Sequence, residues 1–480
     1  MASRLRVAAS LTAIVAASAG CRLLDDRLPN RAAAAPPLAV AVEQPPDPAR
    51  DPVLQQAQTD DAAPELPEAL ALQPPGAEAE LAGLIGQALA SNRAVQAARW
   101  RVLALRARVP QVTALEDPMV QNGVWPFPMN GPQYSLMGYM PYDLMISQQF
   151  PWLGTLRLRG VVAAEEAQAA LWELAETQLE VAAEVKRAYA DLRAAERRIQ
   201  VIEANRELAQ QIVELTRVRL ETGGPQQDVL RAEVAVAGLD RDLVEQRREA
   251  ATARAALVAL LHLPPGSDLP LLFSTEIATP ELPAPVEHLY AVAIEARPEL
   301  RARLAEVSRD RAEVALARKR FYPDVTVGLA YNTMTRRNNP SPQADGRDNI
   351  GFVVGFNLPV YRHKYRAAVD EARAQERADA LRYEAQRDQT LQQVATAWAE
   401  VEAARETLAL LRDRIAPKSR LALEGAVAGY RAGSLDYVTL NTAREELLAV
   451  ELQLATTEAA LARAAADLER AVGAELAQGD

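Results

Sequence analysis

The chain carries one cysteine, Cys21, in 480 residues. A single thiol excludes an intrachain disulfide framework and any cysteine-based zinc cluster. Histidine is nearly as scarce, and His262, His288 and His363 lie too far apart in sequence to supply a metal-binding spacing. Aromatic residues make up only 5% of the chain while apolar residues reach 49%, so the apolar share is mostly Ala, Leu and Val. That is helix-forming, close-packing material. Net charge is −11 and basic residues are scattered, which disfavours a nucleic-acid partner. There is no G-x-x-x-x-G-K loop, no G-x-G-x-x-G after a strand and no G-x-S-x-G elbow, so an enzyme is disfavoured and no cofactor is expected. Past Gly20 no run of 18 apolar residues occurs, and no transmembrane helix is expected.

What is present begins with an export signal. Arg4 and Arg6 precede an apolar, small-residue stretch from Val7 to Gly20, giving a signal peptide over residues 1–20. Its end, Ser18-Ala19-Gly20-Cys21, resembles a bacterial lipobox with Ser18 where Leu is usual, which makes Cys21 the expected lipidation site. Residues 21–76 are rich in Pro, Ala, Asp and Gln, cannot bury a core and are expected to form a tether.

The rest is a tandem repeat. Adding 205 to residue numbers aligns Leu84–Pro118 with Leu289–Pro323 without a gap. Pro151 then corresponds to Pro359 at an offset of 208, and Ala232 to Ala443 at 211. The expected repeats are residues 77–265 and 285–473, with a linker at 266–284 and a tail at 474–480. Each repeat predicts two short helices, a strand pair and two long helices. In the second they cover Val286–Ala296, Pro298–Arg320, Arg362–Ala432 and Ser434–Gly473; the long pair of the first covers Thr155–Glu221 and Pro225–Leu263. A helix of 60 to 70 residues is about 100 Å long, more than any globular core needs.

Leu440, Leu447, Leu454, Leu461 and Leu468 recur every seven residues, each followed three positions later by a smaller side chain, from Ala443 to Ala471. That is a coiled-coil seam. The first repeat duplicates it as Val229, Val236, Leu243, Ala250 and Leu257. A plain helical hairpin or a coiled-coil scaffold would share this seam, but neither needs strands. In the segment Ile350–Leu358, Ile350, Phe352, Val354, Phe356 and Leu358 share one face and Gly351, Val353, Gly355 and Asn357 the other. Val325–Asn332 and Leu144–Phe150 alternate similarly. Such strands suit a transmembrane β-barrel with lipid outside and water inside. Four strands cannot close a barrel, since the smallest use about eight, so several chains must share one.

Three groups of residues resemble a known family. Tyr430-Arg431-Ala432-Gly433-Ser434-Leu435-Asp436-Tyr437, with the heptad that follows, looks like one periplasmic helical turn of TolC-like outer-membrane efflux proteins. Arg219-Leu220-Glu221-Thr222-Gly223-Gly224-Pro225, followed by Asp228, looks like the other. Phe356-Asn357-Leu358-Pro359-Val360 and Gln148-Gln149-Phe150-Pro151-Trp152 look like the barrel-to-helix junctions.

The resemblance implies a mostly α protein with a transmembrane β-barrel portion, in which four strands per protomer build a shared 12-stranded barrel and the long helices an α-barrel. It implies a homotrimer in outer-membrane lipid that takes substrate from an inner-membrane transporter through a periplasmic adaptor. The contrasting expectation, a periplasmic coiled-coil adaptor or scaffold without a channel, would lack the strand pairs. By the same resemblance Gly223, Gly224, Pro225, Gly433, Ser434 and Leu435 become adaptor-docking residues.

The family's paired acids at the pore fall here on Thr439 and Thr442, which leaves Asp228, Asp436 and Tyr430 as the residues for a constriction. Ser147–Gly154, with Arg157-Leu158-Arg159, resembles the heavy-metal-efflux branch. Five of the seven methionines lie between Pro118 and Phe150, and thioethers bind soft metal ions. Methionine in such a place is more often packing material, so no metal site is assigned; Met129, Met137 and Met140 are the weak candidates.

Overall fold

The computed structural model describes residues 79–124, 142–267, 269, 285–333 and 347–474. Cys21, Met129, Met137 and Met140 lie outside the described residues.

Two short helices, α1 (Ala79–Ser91) and α2 (Arg93–Thr113), lead into strands β1 (Met119–Val124) and β2 (Tyr142–Phe150), then into the long helices α3 (Thr155–Glu221) and α4 (Gln226–Leu260). The order then recurs as α5 (Val286–Ala296), α6 (Pro298–Lys319), β3 (Val325–Asn332), β4 (Asn349–Phe356), α7 (Arg362–Leu410), α8 (Ala416–Arg431) and α9 (Tyr437–Val472). At 67 residues α3 is about 100 Å long. Among the described residues no helix is long and apolar enough to cross a membrane.

The single helix expected over Arg362–Ala432 is interrupted. Leu411–Ile415 forms a wider π turn, in which the amide of Ala416 donates to the carbonyl of Leu411. Pro417 supplies the reason: it has no N–H for the carbonyl four residues earlier, and its ring crowds that carbonyl.

The seam packs as its spacing predicts. Leu440, Leu461 and Leu468 are at most 1% exposed, each contributing roughly 2 kcal/mol by burial, and Leu243 and Leu257 occupy matching positions on α4. Leu289 and Ala293 of α5 join Val394 and Val401 of α7 and Leu461 and Leu468 of α9 in one core cluster. Buried alanines such as Ala163, Ala167, Ala170, Ala183 and Ala190 on α3 let neighbouring helices approach closely.

The four strands form one antiparallel sheet in the order β1-β2-β3-β4. Register aligns Val120, Ile146, Leu329 and Phe352 in one row, Asn122, Leu144, Tyr331 and Ile350 in a second, and Phe150, Val325 and Phe356 in a third. Because opposed residues point to the same side, these rows make one predominantly apolar face. It is turned to solvent in the protomer: Phe352 is 83% and Ile350 73% exposed. The opposite face aligns Met119, Ser147, Gly328 and Val353, then Gln121, Met145, Ala330 and Gly351. Met145 packs against Gly328, where an added Cβ would stand 2.9 Å from its Cε, so this thioether serves as packing.

Beneath the sheet, Asp310 of α6 and Asp379 of α7 are buried together, 1% and 3% exposed. Arg309 donates to Asp310 at 2.7 Å and to Asp379 at 3.4 Å. Burial pushes Asp310 up from 3.8 to about 6, reinforced by its hydrogen bond to Asp379. Burial opposes ionisation of Asp379 as well, but hydrogen bonds from Asp310, Gln375 and Arg382 hold it below the usual carboxylate range. The folded chain therefore holds a proton on Asp310 that the unfolded chain has released, and stability falls as pH rises from about 4 through about 6. In Asp310→Asn this share of the slope should vanish: in melting followed by circular dichroism in detergent, the parent should lose on the order of 2 kcal/mol more than the variant between pH 4 and 6. The half-buried Glu176, also raised, leaves a smaller slope in both. Parallel profiles would remove this pair from the pH response.

Candidate functional site at the helical turns

Both long hairpins reverse through the same backbone device. In the first, Gly223 adopts φ +100°, its amide donates to Leu220 and the amide of Gly224 donates to Arg219 at 2.8 Å. In the second, Gly433 adopts φ +78°, its amide donates to Tyr430 and the amide of Ser434 donates to Gly429 at 2.9 Å. These paired bonds define the Schellman motif, which needs a left-handed residue at its centre. Gly224 is constrained differently, because a Cβ there would meet the carbonyl oxygen of Arg219 at 2.8 Å. Pro225 precedes α4 with φ −71°, and Asp228 lies in that helix's first turn, where the dipole favours a negative charge.

The helix following the second turn starts later than the expected Ser434. Ser434 does not cap it; its Oγ donates to the carbonyl of Gly429 at 3.0 Å and so closes α8. Asp436 is the N-cap, accepting from the amide of Thr439 at 3.0 Å and from its hydroxyl at 2.6 Å. Those bonds hold the Asp436 carboxyl below its ordinary range. Leu435 folds back on Gly429, where an added Cβ would stand 2.6 Å from its Cδ1.

The two turns are tied together. Arg219 of α3 sends Nη1 to the carbonyls of Tyr430 and Leu435, both at 3.2 Å, and its guanidinium lies 4.3 Å from the centre of the Tyr430 ring. Tyr430 is fully buried, and its hydroxyl donates to Asp228 at 3.2 Å. Burial, then the neighbouring Asp228 charge, push that phenol up, so it stays a proton donor at neutral pH. Of the three residues expected at a constriction, Asp228 and Tyr430 thus meet, while the carboxylate of Asp436 is engaged in capping. Arg219 is the member of this set that sequence reasoning left unassigned. One signal marks it: adding 211, the offset that relates Ala232 to Ala443, places Arg219 on Tyr430.

Beside the turns, α4 and α9 flank an open groove of about 560 Å³ lined by Leu230, Arg231, Val234, Val438, Asn441 and Thr442. Leu230, Val234 and Val438 are each more than half exposed.

Against known families, residues 84–262 and 289–474, about three quarters of the chain, match the model described as outer membrane efflux protein. The chain belongs to the outer membrane efflux protein family. Each matched block coincides with one occurrence of the helix–strand–helix order. Among curated relatives, the outer membrane efflux protein BepC of Brucella suis is 25% identical over 248 residues, 51% of this chain and 53% of that protein. The cobalt-zinc-cadmium resistance protein CzcC of Cupriavidus metallidurans is 25% identical over 247 residues, 51% of this chain and 56% of its own. The chain thus spans about half the length of the curated relatives it matches. A solved structure of CusC superposes with a TM-score of 0.69 at 18% identity, covering 82% of this chain and 92% of that one, and shares the fold. As an outer membrane efflux protein, the chain resides in the outer membrane.

Proposed function

We propose that this outer membrane efflux protein is a passive exit duct, a homotrimer that receives substrate from an inner-membrane transporter through a periplasmic adaptor. The observation that carries this is the sheet: one face is predominantly apolar and exposed, and β1 and β4 each end it with an unpaired edge. Such edges are prohibitive in hydrocarbon, and three copies of four strands give a 12-stranded barrel that abolishes them. A scaffold without a channel has no use for these strands. Protein purified in detergent should show three-fold rings in projection and conduct ions across a planar bilayer; a monodisperse monomer without conductance would defeat the proposal.

In that assembly the helical turns are the periplasmic mouth. Gly223, Gly224, Pro225, Gly433, Ser434 and Leu435 present the docking surface, and the neighbouring groove offers exposed apolar side chains to an adaptor. The bonds from Arg219 to the second turn and from Tyr430 to Asp228 hold the two hairpins together and keep the mouth narrow. Gly433→Val should cost about 1 to 2 kcal/mol in a left-handed backbone. Space is not the obstacle, since the nearest atom to an added Cβ is 3.9 Å away. The variant should insert as a normal trimer yet crosslink less adaptor and export less substrate; normal values of both would exclude this turn from docking.

The resemblance at Ser18–Cys21 makes acylation of Cys21 part of the proposal. Cys21→Ala should abolish labelling by radioactive fatty acid while conductance survives; unchanged labelling would end the lipoprotein assignment.

A further inference from the structure

We propose that the strand–helix junctions form a cationic collar that binds the phosphate headgroups of anionic phospholipids in the leaflet facing the long helices. The proposal rests on the outer-membrane placement of the sheet and goes beyond it by naming a lipid class and the side chains that select it.

The chain is acidic overall, yet the junctions are not. Arg157 stands in the first turn of α3, Arg318 and Arg320 at the end of α6, and Arg362, Lys364 and Arg366 at the start of α7; all six are exposed. In the connecting stretches 151–159, 318–324 and 357–366 Asp324 is the only acid. Its carboxylate already accepts from the amide of Trp152 at 3.0 Å and from Gln149. The fourth junction, 114–118, carries Glu116 and Asp117, so the collar covers three junctions of four.

None of the six cations forms an ion pair among the described residues. Of the nearest acids on α7, Asp370 pairs with Arg373 and Glu376 with Arg311, while the exposed Glu371 between them pairs with none of the six cations among the described residues. Arginines on the long helices away from the junctions behave differently: Arg206 and Arg217 of α3 pair with Asp240 and Glu233, and Arg247 of α4 with Glu203. Among the described residues no ion pair explains Arg157, Arg362 and Lys364, and a cation in the first turn of a helix opposes the helix dipole.

Their position supplies the explanation. The row Phe150, Val325 and Phe356 ends the apolar face of the sheet, and the cations follow or precede it by roughly five to ten residues, within reach of long side chains that extend toward a polar interface. Amphipathic rings occupy the same level. Trp152 stacks on Tyr322 with centroids 5.0 Å apart, and Tyr361 is 66% exposed. Rings and cations of this kind gather where hydrocarbon gives way to headgroups, and arginine matches phosphate geometry. Each cation near an anionic surface is worth roughly fivefold in affinity.

The full chain, incorporated into vesicles of equal phosphatidylglycerol and phosphatidylethanolamine and re-extracted in detergent, should retain the anionic lipid over the zwitterionic one by about tenfold or more, read by mass spectrometry. Replacing Arg157, Arg320, Arg362 and Lys364 together by Gln should reduce the preference by about fivefold or more. The same change at Arg217, Arg241, Arg247 and Arg248 should leave it intact. Raising salt to about 1 M should collapse the preference of the unmodified chain, a readout that does not depend on a variant folding. Equal retention of both lipids by the unmodified chain, or a preference unmoved by the four junction replacements, overturns the collar. So does an altered ion selectivity of the current with unchanged lipid retention, which would place these cations in the duct. A chain that never enters the bilayer overturns the outer-membrane placement itself, and the collar with it.

Discussion

Deleting residues 324–358 should abolish membrane-embedded trimers altogether. The deletion removes β3 and β4 and leaves β1 and β2, so three chains would supply six strands where the smallest barrels use about eight. Every unpaired amide and carbonyl left on an edge in hydrocarbon costs several kcal/mol, and no helix among the described residues can take over the anchoring. The helical pairs should survive, because the cluster of α5, α7 and α9 contains no strand residue. Circular dichroism should therefore report helix while sedimentation from solubilised membranes reports no trimer. A deletion variant that still sediments as a stable membrane trimer would show that these strands do not line a shared barrel.

Arg219→Ala should produce the largest change at the proposed periplasmic mouth. The substitution removes both carbonyl contacts and the stacked cation from a fully buried tyrosine. Hydrogen bonds from a charged donor are worth about 1.5 to 3 kcal/mol and the ring contact about 0.5 to 2, so on the order of 3 kcal/mol of attachment between the hairpins is lost. Single-channel conductance should rise severalfold while trimer and barrel persist. Arg219→Lys should fall between, since an ammonium lacks the planar guanidinium that contacts both carbonyls and covers the ring. Unchanged conductance in a properly inserted Arg219→Ala trimer would remove this contact from the gate.

Much of this architecture is legible in the sequence because it depends on periodicity. Leu440 through Leu468 announce their burial by a seven-residue spacing, and Ile350 through Phe356 announce a two-faced strand by alternation. Gly223 and Gly433 are legible because a sharp helical reversal admits few residues. What was not legible depends on partners distant in sequence. Arg219 reads as an ordinary charge on a helix until the fold brings Tyr430 beside it, 211 positions later. The last helix, expected from Ser434, begins at Tyr437, because Ser and Asp both serve as caps and only the extended backbone of Asp436 decides between them. The proton held near Asp310 follows from burial beside Asp379, and neither residue signals the other in the sequence.

The π turn gives the second hairpin a mechanical property that the first lacks. Helix α3 runs unbroken from Thr155 to Glu221, a stiff strut. Its counterpart is jointed at Leu411–Ile415, leaving α8 as an arm of 16 residues, about 24 Å, out to the turn at Gly433. A ten-degree flexure at that joint swings the end of the arm sideways by about 4 Å, more than the 3.2 Å span between the Tyr430 hydroxyl and Asp228. The joint is thus a fulcrum whose throw suffices to part the two hairpins, while α7 above it can stay seated in its core cluster.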